Sequence, residues 1–130
     1  MLSQYMYTVK DLCRIANVSR KTLFYYDRIG LLCPEERIGK QKSRRYGEAD
    51  LKRLYQIRFY QRAGLTLSEI RTVLDHPGED HTDLFLLVSR RLQKKMNDIA
   101  EMLERAQKLK EETGNDPFEM PVLRDDAGSR

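Results

Sequence analysis

The stretch from residue 82 to residue 112 contains neither glycine nor proline, and it constrains the fold more than any other part of the chain. Its apolar residues recur every three or four positions, the period of one helix face. This stripe consists of Phe85, Val88, Leu92, Met96, Ile99, Leu103 and Ala106. A helix of about 30 residues extends roughly 45 Å, further than a domain built from residues 1–78 can cover with its own core. We therefore expect the stripe to pack against the same helix of a second chain; the alternative is a helix folded over its own domain.

The net charge of +4 is unevenly distributed along the sequence. Residues 1–78 carry 15 Lys and Arg against 8 Asp and Glu, whereas residues 79–130 carry 9 against 12. A basic first part favours a polyanionic partner such as nucleic acid, although ordinary surface charge is the alternative. With a breaker at His76-Pro77-Gly78, we divide the chain into a domain at 1–78, a helix at 79–114 and a short, loosely ordered tail at 115–130.

Helix signals in the basic part predict two short helices joined by a tight turn. Thr8 and Asp11 form a weak capping box before the first helix, and Ser19 is a good N-cap for the second. Two short helices with such a turn are typical of a helix-turn-helix. On the second helix Tyr26 lies with the inward apolar face and Tyr25 with the cations, because adjacent helical residues point about 100° apart. The pattern is also compatible with two half-buried tyrosines.

A cluster of five cations within residues 37–45 follows the second helix. Pro34 breaks the helix before this cluster, and Gly39 separates two short pieces that could pair as a hairpin. A basic hairpin after a helix-turn-helix is a wing, which would contact DNA phosphates beside the groove; a solvated loop is the alternative. Capping and apolar spacing predict two further helices, one from Glu48 to the residues before Gly64 and one after Thr66.

Three segments resemble, in order and spacing, the DNA-binding domain of the MerR transcriptional regulators: YTVKDLCRIANVSRKTLFYYDRIGLL, RRYGEADLKRL and AGLTLSEIRTVL. The resemblance covers residues 7–74, and the long helix resembles the antiparallel dimerisation coiled coil of that family. It implies a mainly α protein, with a winged helix-turn-helix domain followed by a dimerisation helix. It also implies a homodimer that binds double-stranded DNA at a pseudo-palindromic promoter. Distortion of the spacer would then act indirectly on RNA polymerase.

The residues expected to contact DNA follow from the helix faces together with this resemblance. Phosphate contacts would supply affinity and base contacts would supply sequence choice. Tyr26 is expected nearer the DNA backbone or the core. The full set is Ser19, Arg20, Lys21, Thr22, Tyr25, Tyr26, Arg37, Lys40, Lys42, Arg44, Tyr46 and Arg58.

The sequence departs from the family pattern at three places. Phe24 stands where the family often has arginine, so one phosphate contact is expected to be missing or supplied by Lys21 or Arg20. The segment Lys42-Ser43-Arg44 stands where the wing often reads Gly-aromatic-Arg. Gly47 replaces the serine cap of the third helix.

The two cysteines have neither the spacing of metal ligands nor that of a disulfide framework. We expect no metal and no cofactor. Cys13 is expected to be a buried structural thiol, whereas Cys33 could sense an oxidant or electrophile. Since no cysteine follows Cys33, the metal-sensing branch of the family is disfavoured.

Other function classes fit the sequence less well. Neither histidine is paired with a nucleophile, so we do not expect an enzyme. No apolar run approaches the roughly 18 residues of a membrane span, and the first residues do not form a signal peptide, which favours a cytoplasmic protein without a membrane partner. The alternatives are a DNA-bending factor of the excisionase or architectural type, without effector response, and a protein-interaction module.

Overall fold

A computed structural model of the protein describes residues 6–112. The helices are α1 (Val9–Ala16), α2 (Arg20–Arg28), α3 (Glu48–Arg62), α4 (Leu67–Asp75) and α5 (Thr82–Glu111), and the strands β1 (Glu36–Ile38) and β2 (Ser43–Arg45) lie between α2 and α3. The mainly α fold with a wing is thereby confirmed. A first compact unit ends at Val88 and a second begins at Ser89. The predicted tail at 115–130 lies outside the described residues.

Local side chains determine where the helices begin. Thr8 Oγ1 accepts a hydrogen bond from the N–H of Asp11 at 3.1 Å, and Asp11 Oδ2 accepts one from the N–H of Thr8 at 2.9 Å. Ser19 Oγ accepts from a backbone N–H three residues later at 3.0 Å. At α3 the cap is Gly47, so only the reciprocal bond from its N–H to Asp50 Oδ2 remains, at 2.9 Å. These contacts satisfy N–H groups that have no partner inside a helix.

The turn between α1 and α2 depends on Asn17. Its φ of 55° lies in the left-handed region, which asparagine tolerates better than most residues. The next residue, Val18, is buried, and its N–H donates to the carbonyl of Cys13 at 3.3 Å. This turn holds α1 and α2 together as a helix-turn-helix.

The core of the first unit is built from apolar residues of α1 to α4, of the first turns of α5 and of the segments between the helices. Burying each large aliphatic side chain stabilises the fold by about 1.5–3 kcal/mol. Leu54 and Ile57 form the buried side of α3, and Ile70 and Val73 form that of α4. The fully buried side chains are Leu12, Leu23, Leu31, Leu32, Tyr46, Leu54, Ile57 and Ile70.

The wing is a two-stranded antiparallel hairpin, as predicted. Its turn is closed by a hydrogen bond from the N–H of Lys42 to the carbonyl of Gly39 at 3.1 Å. Lys42 has a φ of 57°, a conformation that glycine adopts more readily. The glycine expected here from the resemblance would therefore fit this backbone. Tyr46 and Tyr7 exchange backbone hydrogen bonds at 2.7 and 2.8 Å. The base of the hairpin is therefore tied to the segment before α1.

The first two turns of α5 belong to the first unit. Val88 is only 4% exposed and joins the core, and the ring of Phe85 stacks on Tyr60 at 6.3 Å between centroids. The compact unit therefore continues past Gly78. The assignment of Val88 to a dimer seam is wrong, because this side chain packs within its own chain. Phe85 is partly covered within the chain as well, by its contact with Tyr60.

The remainder of the apolar stripe is exposed in the single chain. The exposed fraction is 37% for Leu92, 64% for Met96, 62% for Ile99 and 57% for Leu103. Large apolar side chains in a continuous row are rarely left in water. None of the helices within residues 6–112 combines the length and apolar character that a membrane span requires.

Candidate nucleic-acid interface

Helix α2 presents one face to the core and one to solvent. Tyr26 is 2% exposed and its hydroxyl donates to Gln61 Oε1 at 3.2 Å. Tyr25 is 41% exposed, and the guanidinium of Arg28 lies 5.4 Å from the centre of its ring. The predicted separation of the two tyrosines is confirmed. The outward face also carries Ser19, Arg20 and Lys21, which are exposed, and Thr22, which is half-buried.

Two residues of the expected DNA-contact set lie in the core instead. Tyr26 is buried between helices, and Tyr46 is completely buried. Tyr46 follows Arg44 by two positions, so both side chains lie on the strand face turned toward the domain. Tyr26 therefore takes the core position that was one of its two expected places, and the assignment of Tyr46 as a DNA contact of the wing is wrong.

The hydroxyl of Tyr46 has no hydrogen-bond partner among residues 6–112. Burial raises the pKa of this phenol to about 12. An unpaired buried hydroxyl is unfavourable, so we expect Tyr46→Phe to increase the free energy of unfolding by about 1 kcal/mol. Urea unfolding followed by circular dichroism would measure the change. A variant less stable than the original protein would mean that the hydroxyl makes a bond that stabilises the fold.

The wing arginines are held by one carboxylate of α2. Arg37 and Arg44 lie opposite each other on β1 and β2. Arg37 Nη2 contacts Asp27 Oδ1 at 2.7 Å, and Arg44 Nε contacts Asp27 Oδ2 at 2.7 Å. The hydrogen bond from Arg37 is the main reason that the pKa of Asp27 lies below its usual value. Sequence reasoning missed Asp27, although an acidic residue between Tyr26 and Arg28 in a basic segment was an available signal.

Phe24 also contacts the cations of this surface. The guanidinium of Arg44 lies 4.3 Å from the centre of its ring, and that of Arg20 lies 6.0 Å away. Aromatic ring faces attract guanidinium groups. Phe24 therefore supplies no charge of its own, but its ring contacts two neighbouring arginines.

A cleft of about 360 Å³ lies between the start of α1, helix α2 and the wing. We call it the wing cleft. Within the described part of the chain, the charged residues that line it are all cations: Lys10, Arg20, Lys42, Arg44 and Arg45. A cleft of one charge sign concentrates counter-ions such as phosphates. Lys10 and Arg45 were not among the predicted site residues.

The other predicted contacts are distributed around this surface. Lys40 is exposed in the hairpin turn. Arg58 lies away from the wing cleft, where its Nη2 donates to the carbonyl of Asn17 at 3.5 Å. It borders a separate groove of about 610 Å³ together with Tyr55 and Phe59.

Neither cysteine lines the wing cleft. Cys13 is half-buried against the core and Cys33 is exposed. The Sγ of Cys33 lies 3.9 Å from the carbonyl oxygen of Asp27. A redox role for Cys33 remains a prediction. Residues 6–112 contain no cluster of His, Cys, Asp and Glu suited to a metal ion.

Comparison with known proteins identifies the family. Residues 7–77, more than half of the chain, match the MerR HTH family regulatory protein model, and residues 51–112 match the model for MerR, DNA binding. The chain belongs to the MerR family. The relatives TipA and mta are named HTH-type transcriptional activators, and the predicted family is confirmed.

Individual MerR-family proteins agree with the match. The HTH-type transcriptional activator mta of Bacillus subtilis is 39% identical over 98 residues, which is 75% of this chain and 38% of mta. The crystal structure of MtaN, the N-terminus of the Bacillus subtilis multidrug transporter activator, has a TM-score of 0.67 at 37% identity and covers 78% of this chain and 95% of MtaN. EcmrR, in the cryo-EM structure of the EcmrR-DNA complex in EcmrR-RPo, has a TM-score of 0.69 at 31% identity and covers 82% of this chain and 40% of that chain. This MerR-family chain spans 29% to 38% of the length of mta and of several other curated relatives.

Proposed function

We propose that the protein binds a pseudo-palindromic promoter as a homodimer and distorts the spacer between the half-sites. The change in promoter shape would act on RNA polymerase without a catalytic step. The observation that carries this proposal is the cationic wing cleft beside the exposed face of α2. Membership of the MerR family and the likeness to EcmrR, which was solved in a DNA complex, support it.

The two parts of the surface would have different tasks. The wing side chains Arg37, Lys40, Lys42 and Arg44 would contact phosphates. Lys10 and Arg45, which line the wing cleft together with Lys42 and Arg44, would add to these contacts. The exposed α2 side chains Arg20, Lys21 and Tyr25 would reach base edges and the adjacent backbone. Phosphate contacts fix register and affinity, whereas base contacts carry sequence information.

The dimer would form through the distal part of α5. The exposed row Leu92, Met96, Ile99 and Leu103 offers an apolar seam, with Ala106 continuing it, and an antiparallel pair of such helices has two-fold symmetry. Two-fold symmetry in the protein matches inverted repeats in the DNA. In this proposal residues 1–78 and the first turns of α5 supply DNA binding, and the later part of the segment 79–114 supplies dimerisation.

We place the protein in the cytoplasm, where promoter DNA is accessible in a bacterial cell. Both cysteines of the chain are free thiols, which suits a reducing compartment.

Binding to the DNA upstream of the protein's own coding sequence tests this function. We expect fluorescence anisotropy at physiological salt to give an affinity about 10³-fold higher for this fragment than for a shuffled duplex of the same length. Equal affinity for both duplexes would contradict sequence-specific regulation. It would favour an architectural factor.

The wing is expected to act through phosphates. Arg44→Ala should weaken binding to all duplexes alike and reduce the slope of log K against log salt by about one unit. Lys108→Ala, which removes an exposed cation near the end of α5, is the matched control and should leave the slope unchanged. A loss confined to one sequence would mean that Arg44 reads a base.

A further inference from the structure

We propose that Asp27 is a positioning residue for DNA recognition: it docks the wing on α2 and orients the guanidinium groups of Arg37 and Arg44 toward phosphates. This inference rests on the proposed DNA-binding function. Asp27 itself would not touch DNA, and its carboxylate would act only through the two arginines.

The geometry assigns one carboxylate oxygen to each arginine. Arg37 comes from β1 and Arg44 from β2, and each bond is 2.7 Å long. The Asp27 side chain is only 8% exposed, whereas Arg37 and Arg44 are 41% and 28% exposed. The acid is thus covered by the cations that it binds. The outward surface remains positive.

The bonds to Asp27 leave donors free for a second acceptor. An arginine carries five N–H donors in a planar fork. Arg44 uses its Nε toward Asp27 and Arg37 uses one terminal nitrogen. Arg44 also lines the wing cleft, so its terminal nitrogens can meet a phosphate there without breaking the bond to Asp27.

Phe24 fixes the same arginine from another direction. Its ring lies 4.3 Å from the Arg44 guanidinium, and Phe24 precedes Asp27 by three positions, which places both on one side of α2. Arg44 is therefore held at its edge by a carboxylate and on its face by a ring. A side chain ordered before binding loses less conformational freedom when a phosphate arrives.

Whether removal of the Asp27 carboxylate weakens or strengthens DNA binding distinguishes a positioning role from simple charge repulsion. A carboxylate near DNA repels phosphates, so its removal ordinarily tightens binding. A positioning carboxylate gives the opposite result, because its loss frees two arginines to move. We therefore expect weaker DNA binding from Asp27→Asn, although the protein gains one positive charge.

The experiment compares Asp27→Asn with Glu36→Gln in the full chain. Glu36 is an exposed residue of β1 next to Arg37, so this control removes one negative charge from the wing, close to the site where Asp27→Asn removes one from α2. Each protein is titrated against a fluorescein-labelled duplex of mixed sequence between 50 and 200 mM salt. Asp27→Asn should bind about tenfold more weakly, as expected for the loss of one or two ordered phosphate contacts. Glu36→Gln should bind as tightly as the original protein or more tightly.

A protein that already lacks both wing arginines distinguishes a positioning role of Asp27 from general damage to the fold. In the Arg37→Ala/Arg44→Ala protein, Asp27→Asn should have no weakening effect, since the arginines it orients are gone. In the protein that keeps both arginines, Asp27→Glu retains the carboxylate and should bind DNA more tightly than Asp27→Asn. The inference is overturned if Asp27→Asn binds as tightly as the original protein, or if it weakens binding equally in the arginine-free background. Failure of the original protein to bind any duplex would instead overturn the proposed function.

Discussion

Replacing Leu92 and Ile99 with lysine is expected to convert a dimer into a monomer and to remove most of the DNA affinity. Both side chains are exposed in a single chain, at 37% and 62%, so the substitutions should cost the monomer little. In a dimer the same positions would bury two charges in an apolar seam, which costs several kcal/mol. Light scattering at micromolar concentration would measure the mass, and anisotropy would measure DNA binding.

The control for this experiment changes charge without touching the stripe. Asn97→Lys combined with Glu101→Gln adds the same two units of positive charge on another face of α5. This variant should remain dimeric and bind DNA at least as well. A monomeric original protein, or a lysine variant that stays dimeric, would show that the distal stripe of α5 is not the dimer interface.

Tyr26→Ala is expected to lower the free energy of unfolding by about 3 kcal/mol, within the range for a buried aromatic side chain. The substitution removes a ring that is 2% exposed together with its hydrogen bond to Gln61. For a unit of this size the melting temperature should fall by roughly 10–20 °C. Tyr25→Ala is the matched control, because the same residue type at 41% exposure should cost far less stability.

The hydroxyl of Tyr25 is expected to serve DNA binding instead. Tyr25→Phe should leave the melting temperature unchanged and weaken DNA binding by roughly 1 kcal/mol, and by more if the partner is a charged phosphate. Thermal melts and DNA titrations of the three tyrosine variants would decide the assignment. A stable Tyr26→Ala protein would contradict the role of Tyr26 in the core, and unaltered affinity in Tyr25→Phe at moderate salt would contradict a DNA contact by the Tyr25 hydroxyl.

The elements of the fold could be predicted from short-range chemistry. The caps at Thr8 and Ser19 set helix starts through contacts within three residues, and such contacts are visible in the sequence. The long α5 was equally accessible, since a stretch without glycine or proline that repeats every three or four residues favours one helix. Gly39 marked the position of the hairpin turn, because glycine readily adopts the positive φ, here 79°, that the turn uses.

The predictions that failed depend on contacts between residues far apart in the chain. Tyr46 was expected on the wing surface, but its backbone pairs with Tyr7 and its side chain enters the core. Val88 continued the periodic stripe, yet the first turns of α5 pack on their own domain. Periodicity identifies an apolar face without identifying what covers it. Asp27 was missed because its role depends on two strands that meet only in the folded domain.

In the proposed complex, two copies of the chain bind inverted half-sites on one duplex. Hydroxyl-radical footprinting of the DNA upstream of the coding sequence tests it most directly. We expect two protected, inversely repeated half-sites separated by about one helical turn or a multiple of it, with altered reactivity in the spacer between them. Protection of one isolated half-site, or uniform protection that ignores sequence, would contradict the account.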